Sequence, residues 1–117
     1  MPESSSDPPA ETDLDVLIDD ATTAVDVKAL SAFGYETRYR LVRLLVETDD
    51  AVRFDEITPY VSISDSAVSH ALTLLCDAGL VEKEKDGRSR RYAATRRAEA
   101  LVTALDDTRR RDAPRRS

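Results

Sequence analysis

Between Ser64 and Gly79 the chain carries two different stripes at helical spacing, and this segment constrains the fold more than any other. Val68, Ala71, Leu72 and Leu75 recur at i, i+3, i+4 and i+7, the pattern of an apolar helical face. Ser66, Ser69, His70 and Thr73 repeat that spacing on another side. Ser64 is a good N-cap, and Gly79 is placed to end the helix in a left-handed conformation. A face meant only for solvent favours Glu and Lys, which are strong helix formers. Here it holds small hydrogen-bonding groups, which suit close approach to a second surface.

The flanking segments supply the rest of a small domain. Upstream, Val25, Ala29, Leu30 and Phe33 predict a helix over Thr22–Ala32 that Gly34 ends. A second helix is expected at Glu36–Glu47, with Leu41, Val42, Leu44 and Leu45 buried. Arg38, Arg40 and Arg43 lie on its other faces, spaced for ion pairs with Glu36 or Glu47. Thr48–Val52 reads as a polar turn. Phe54–Val61 reads as a helix that Pro59 shortens or distorts by removing a backbone donor. Downstream, Leu80–Lys85 and Arg90–Ala94 are strand-like and joined by Asp86-Gly87, a tight-hairpin signal. Thr95 then caps a last helix whose apolar stripe is Ala98, Leu101, Val102 and Leu105.

Both ends are unfit for a core. The first thirteen residues hold Pro2, Pro8, Pro9 and the Ser4–Ser6 run, and the last twelve are mostly charged. The expected organisation is a disordered acidic tail over 1–20, a folded domain over 21–108 and a basic tail over 109–117. A domain of this size gains from a second copy of itself. The apolar stripe of the last helix outruns the core one chain can offer. Val25, Leu30, Leu101, Val102 and Leu105 are therefore the expected homodimer interface.

Net charge is −6, which by itself argues against a nucleic-acid partner. The distribution argues the other way. Residues 1–26 carry acids and no base, whereas Arg88, Arg90, Arg91, Arg96, Arg97, Arg109, Arg110, Arg111, Arg115 and Arg116 crowd the last third. Arginine far outnumbers lysine and aspartate outnumbers glutamate, a bias similar to that of proteins from salt-loving archaea. No stretch approaches the roughly 18 apolar residues of a membrane span, and no signal peptide is evident, so a cytoplasmic protein with no membrane association is expected. Cys76 is the one cysteine, which excludes a disulfide or an all-cysteine metal site within a chain.

The order helix, helix, short helix, turn, helix, hairpin, helix is that of a winged helix-turn-helix, a mainly α fold with a small β-hairpin wing. The run Ser64-Asp-Ser-Ala-Val-Ser-His-Ala-Leu-Thr-Leu-Leu-Cys-Asp-Ala-Gly-Leu-Val81 resembles the recognition helix and exit of the ArsR/SmtB family of repressors. Asp86-Gly-Arg-Ser-Arg-Arg-Tyr92 is similar to its wing, and Leu30-Ser-Ala-Phe-Gly-Tyr-Glu-Thr-Arg-Tyr-Arg-Leu41 to its opening segment. The resemblance covers about residues 28–95. It implies a homodimer, joined through the first and last helices, that regulates transcription by binding double-stranded DNA. The recognition helix 64–78 would enter the major groove, bringing Ser64, Ser66, Ala67, Ser69, His70 and Thr73 to DNA. The wing, 82–92, would lie on flanking backbone or minor groove with Arg88, Arg90 and Arg91. Strand alternation aims Arg90 and Arg91 to opposite faces, so one of the two is expected at DNA.

The family's sensor sites are another matter. Its Cys-x-Cys position falls on Arg53-Phe54-Asp55, none of them a thiolate. Its last-helix site pairs Asp with His, and here Asp106 and Asp107 have no histidine beside them. No metal and no cofactor is expected, and the sequence names no effector. Cys76 reads as an inert half-exposed thiol, and the terminal arginines either bind phosphate or pair with the acidic N-terminus. Two other function classes compete with a DNA-binding regulator. A winged helix used for protein contact would carry acids on its stripe and wing, whereas this wing is basic. An enzyme would need a nucleophile or acid–base pair in a cleft, and one His and one Cys are a poor inventory.

Overall fold

The computed structural model describes residues 18–112, so the expected tails lie mostly outside the described residues. Helix α1 runs Asp20–Phe33, α2 Glu36–Val46, α3 Phe54–Ile57, α4 Asp65–Asp77 and α5 Arg96–Asp112. Strands β1, β2 and β3 span Val52–Arg53, Val81–Asp86 and Ser89–Ala94, and a 3-10 turn occupies Thr58–Tyr60. The sheet is antiparallel in the order β1-β3-β2.

Helix α1 begins two residues before the expected start because Asp19 caps it. Its carboxylate accepts the Thr22 N–H at 2.7 Å and the Thr22 hydroxyl at 2.8 Å. The core joins all three layers of the fold: Leu41 and Val42 of α2, Ile57 of α3, Val68, Leu72 and Leu75 of α4, and Leu80 are fully buried. Tyr92 closes the core from the wing, and Ala98 and Val102 from α5.

Four details differ from the sequence expectation. Val52–Arg53 is a strand, paired with Tyr92 and Arg91, instead of the end of a turn. Pro59 splits the expected Phe54–Val61 helix into one α turn and one 3-10 turn, since it cannot donate to the ladder. The hairpin turn sits one residue later than Asp86-Gly87, because Asp86 pairs with Ser89 and leaves Gly87-Arg88 as its centre. Gly87 supplies the positive φ, +65°, that the first central position of such a turn requires. Finally, α5 continues to Asp112 through the expected tail start at 109, tied by ion pairs of Arg109 with Asp106 and Arg110 with Asp107.

The end of α4 is built as a Schellman closure. Gly79 takes φ +77°, its N–H reaches the Cys76 carbonyl at 3.0 Å, and the Leu80 N–H reaches Leu75 at 3.0 Å. Thr95 then joins that exit to α5. Its hydroxyl donates to the Gly79 carbonyl at 2.8 Å and accepts the Ala98 N–H at 3.2 Å. One side chain thus fixes where α5 leaves relative to where α4 stops.

Candidate nucleic-acid interface

The apolar stripe of α4 is buried, and this turns its other face outward: Ser66, His70 and Thr73 are exposed, Ala67 and Ser69 half-buried. The polar stripe divides by what its groups already do. Ser64 is spent on the cap, its hydroxyl oxygen accepting the Ala67 N–H at 3.1 Å and lying 3.3 Å from the Ser66 hydroxyl. The Thr73 hydroxyl donates to the Ser69 carbonyl at 3.0 Å, the back-bonding that a helical threonine commonly adopts. Among the described residues, the side chains of Ser69 and His70 have no such commitment and remain open to a ligand.

The wing presents its arginines unequally. Arg88 sits at the hairpin turn and is exposed, as is Arg90. Arg91 is half-buried and stands across the ladder from Glu84 on one side and Arg53 on the other. Opposite-face alternation therefore leaves Arg90 as the more accessible of the adjacent pair.

Residues the sequence left out also border α4. A groove of about 550 Å³ lies beside His70 and Ala67, walled by Tyr35, Thr37, Arg38 and Ile63. Arg38 stacks its guanidinium 4.1 Å from the centre of the Tyr35 ring and so departs from the expected ion pair. Arg40 and Arg43 do form theirs, with Glu36 at 2.7 Å and Glu47 at 3.3 Å. An exposed aromatic just before a helix start was the available signal for Tyr35. The contact that brings Arg38 onto it depends on the rotamers of both side chains, which the sequence does not state.

The expected dimer residues separate into two groups. Val25, Leu30 and Leu105 are exposed on α1 and α5, at 51%, 63% and 45%. Val102, in contrast, is buried in the chain's own core, and Leu101 is half-buried against it. An apolar stripe records that something covers it without recording which chain does so. The two helices that carry the exposed residues are joined by Arg97–Asp26 at 2.7 Å. Arg43 reaches from α2 to Asp106 of α5 at 2.8 Å while also donating to the Tyr39 hydroxyl at 3.3 Å. Hydrogen bonds from Arg43 and then Arg109 hold the Asp106 carboxyl down at about 2. Cys76 is half-buried, and that burial raises its thiol pKa, which keeps it protonated and weakly nucleophilic.

Residues 40–98 match the model of a winged helix DNA-binding domain. A putative arsenical resistance operon repressor ArsR of Halobacterium salinarum is 41% identical over 98 residues, covering 84% of this chain and 76% of that protein. A second repressor of that organism, ArsR2, is 41% identical over 102 residues, covering 87% and 81%. An ArsR-like transcriptional regulator from Rhodococcus sp. RHA1 superposes with a TM-score of 0.59 at 29% identity, covering 76% of this chain and 81% of that one. The protein belongs to the winged helix DNA-binding family and is a transcriptional regulator of the ArsR type.

Proposed function

We propose that this regulator is a homodimeric repressor that reads an inverted-repeat operator with two copies of α4. The observation that carries the reading is the division of α4 itself, one face sealed into the core and the other a row of short hydrogen-bonding groups beside an arginine-bearing wing. Ser66, Ser69 and His70 are placed to meet base edges and adjacent phosphates, with Ala67 and Thr73 in van der Waals reach of the groove. Ser64 acts by holding the helix N-terminus in place. Arg88 and Arg90 neutralise flanking phosphates, with Arg91 behind them. The exposed faces of α1 and α5, bearing Val25, Leu30 and Leu105, join the two protomers. A DNA partner supports a cytoplasmic location as part of this reading. No helix among the described residues is long and apolar enough to cross a membrane.

The arsenical named for the two Halobacterium relatives does not transfer through the Cys-x-Cys position, which holds Arg53-Phe54-Asp55 here. One cysteine in 117 residues supplies no set of thiolates within a chain.

Footprinting of DNA upstream of the protein's own gene, in high-potassium buffer, tests the proposal. Protection of a short inverted repeat, lost in a His70→Ala, Arg90→Ala variant, is the expected result. A folded protein that protects nothing at any salt would overturn DNA reading in favour of a protein-contact module.

A further inference from the structure

The sheet brings three arginines together outside the recognition helix. Strand β1 runs antiparallel to β3, so the chain leaving Arg53 heads toward the turn of the wing. There Arg53, Phe54, Asp55, Arg88, Ser89 and Arg90 line a groove of about 260 Å³. Three arginines and one aspartate are among its lining residues. Asp55 is engaged by Arg53, whose Nε and Nη2 donate to its two oxygens at 3.3 and 3.2 Å. Among the described residues Arg88 and Arg90 form no ion pair, so the groove keeps an excess of positive charge.

We propose that this groove is a phosphate site: Arg88 and Arg90 clasp one tetrahedral oxyanion, with Arg53 held at the rim by Asp55. The chemistry of the walls supports this choice over other ligands. Guanidiniums offer paired N–H donors matched to phosphate oxygens, the Ser89 hydroxyl adds another, and Phe54 gives one wall that does not compete for the anion. A metal cation is disfavoured by the same charge. The Arg53–Asp55 pair is an exchangeable element, because an incoming dianion competes with the carboxylate for Arg53. The anion has two possible sources, a DNA backbone phosphate or a free phosphate. The first rests on the DNA-binding reading above, while the second stands without it. In either case Arg53, which lies outside both α4 and the wing, becomes a ligand-binding residue.

The test uses the full chain, with Arg53→Gln and Arg90→Gln variants shown by circular dichroism to be folded. Inorganic phosphate is titrated calorimetrically at constant ionic strength, with sulfate-free chloride buffer as background. In parallel, the dependence of affinity on potassium chloride is measured for a duplex. Saturable phosphate binding that each variant weakens at least tenfold establishes the site. Competition between phosphate and duplex then assigns it to the DNA backbone, and phosphate binding that leaves duplex affinity unchanged assigns it to a free anion. If phosphate alone binds too weakly to see, a fall of about 1 per protomer in the salt slope for both variants still supports a backbone contact. Absence of phosphate binding together with an unchanged slope for Arg53→Gln overturns the proposal, even if Arg90→Gln lowers the slope by itself. A duplex that fails to bind at all removes only the DNA arm, because the calorimetric arm is read without it.

Discussion

Along the polar stripe of α4, neighbouring residues of similar chemistry are expected to fail in different ways when removed. Ser64 holds the Ala67 N–H, so Ser64→Ala should cost about 1 kcal/mol of stability and lower the melting temperature. His70 is exposed and its side chain holds no hydrogen bond or ion pair among the described residues, so His70→Ala should leave the melting temperature unchanged. Its effect should instead fall on operator affinity, by about 1–3 kcal/mol, which is roughly 5- to 150-fold. Fluorescence anisotropy and thermal melting on the same preparations separate the two. A His70→Ala protein that melts earlier yet binds its operator normally would remove His70 from the interface. This distinction was half legible in the sequence. The cap and both stripes follow from spacing alone, whereas the back-bond from Thr73 to Ser69 and the stacking of Arg38 on Tyr35 depend on rotamers that a sequence does not state.

Among the elements, the long periodic helices and the wing hairpin were legible, and the two-residue strand and the end of the last helix were not. Helices α1, α2 and α4 announce themselves through i, i+3, i+4 spacing and their caps. Strand β1 is two residues long, too short to alternate, and exists because β3 offers a free edge to Val52 and Arg53. The last turns of α5 look like a charged tail until Asp106 and Asp107 are seen to pair with Arg109 and Arg110. The split of the α5 stripe between the chain's own core and an outer face changes which substitution tests the dimer. Leu101 is half-buried against the core, so a charge there would also damage the protomer. Leu30→Glu and Leu105→Glu touch only exposed positions, and each should convert a dimer to a folded monomer in sedimentation while leaving helical content intact. A dimer that survives both would place the subunit contact elsewhere.

The tie between α2 and α5 carries its own pH signature. Asp106 is held at about 2 against an ordinary value of 3.8, so the folded chain binds this proton less readily than the unfolded one. The stabilisation is therefore complete above about pH 4 and lost as pH falls from there toward 2. Asp106→Asn should lower the melting temperature at pH 7, and its deficit relative to the natural chain should shrink steadily as pH falls from about 4 through 2. A deficit that stays constant across that range would mean that Arg43 gains nothing from the charge on Asp106.

For the whole molecule, fold and DNA binding are expected to respond to salt in opposite directions. The chain carries 23 acidic and 17 basic residues, with few lysines; its acids are spread along the whole sequence, with no base among the first 26 residues, while arginines crowd the last third. Like charges so grouped repel over about 30 Å at 0.01 M salt and only about 3 Å at 1 M, so added salt relieves strain within the compact state. Phosphate contacts move the other way, since releasing counterions from DNA contributes less as the bulk concentration rises. A protein suited to concentrated salt must then draw its selectivity from short-range contacts, and α4 supplies hydroxyls and an imidazole at the surface where many DNA-binding helices would carry lysines. Melting curves recorded from 0.05 to 3 M potassium chloride should rise in midpoint and sharpen. Affinity for a duplex lacking the operator should fall steeply over the same range, and operator affinity should fall less. A cooperative melting transition with a midpoint independent of salt would refute the salt adaptation inferred from composition. Parallel loss of operator and non-operator binding would mean that the arginines alone, and not the stripe of α4, account for DNA recognition.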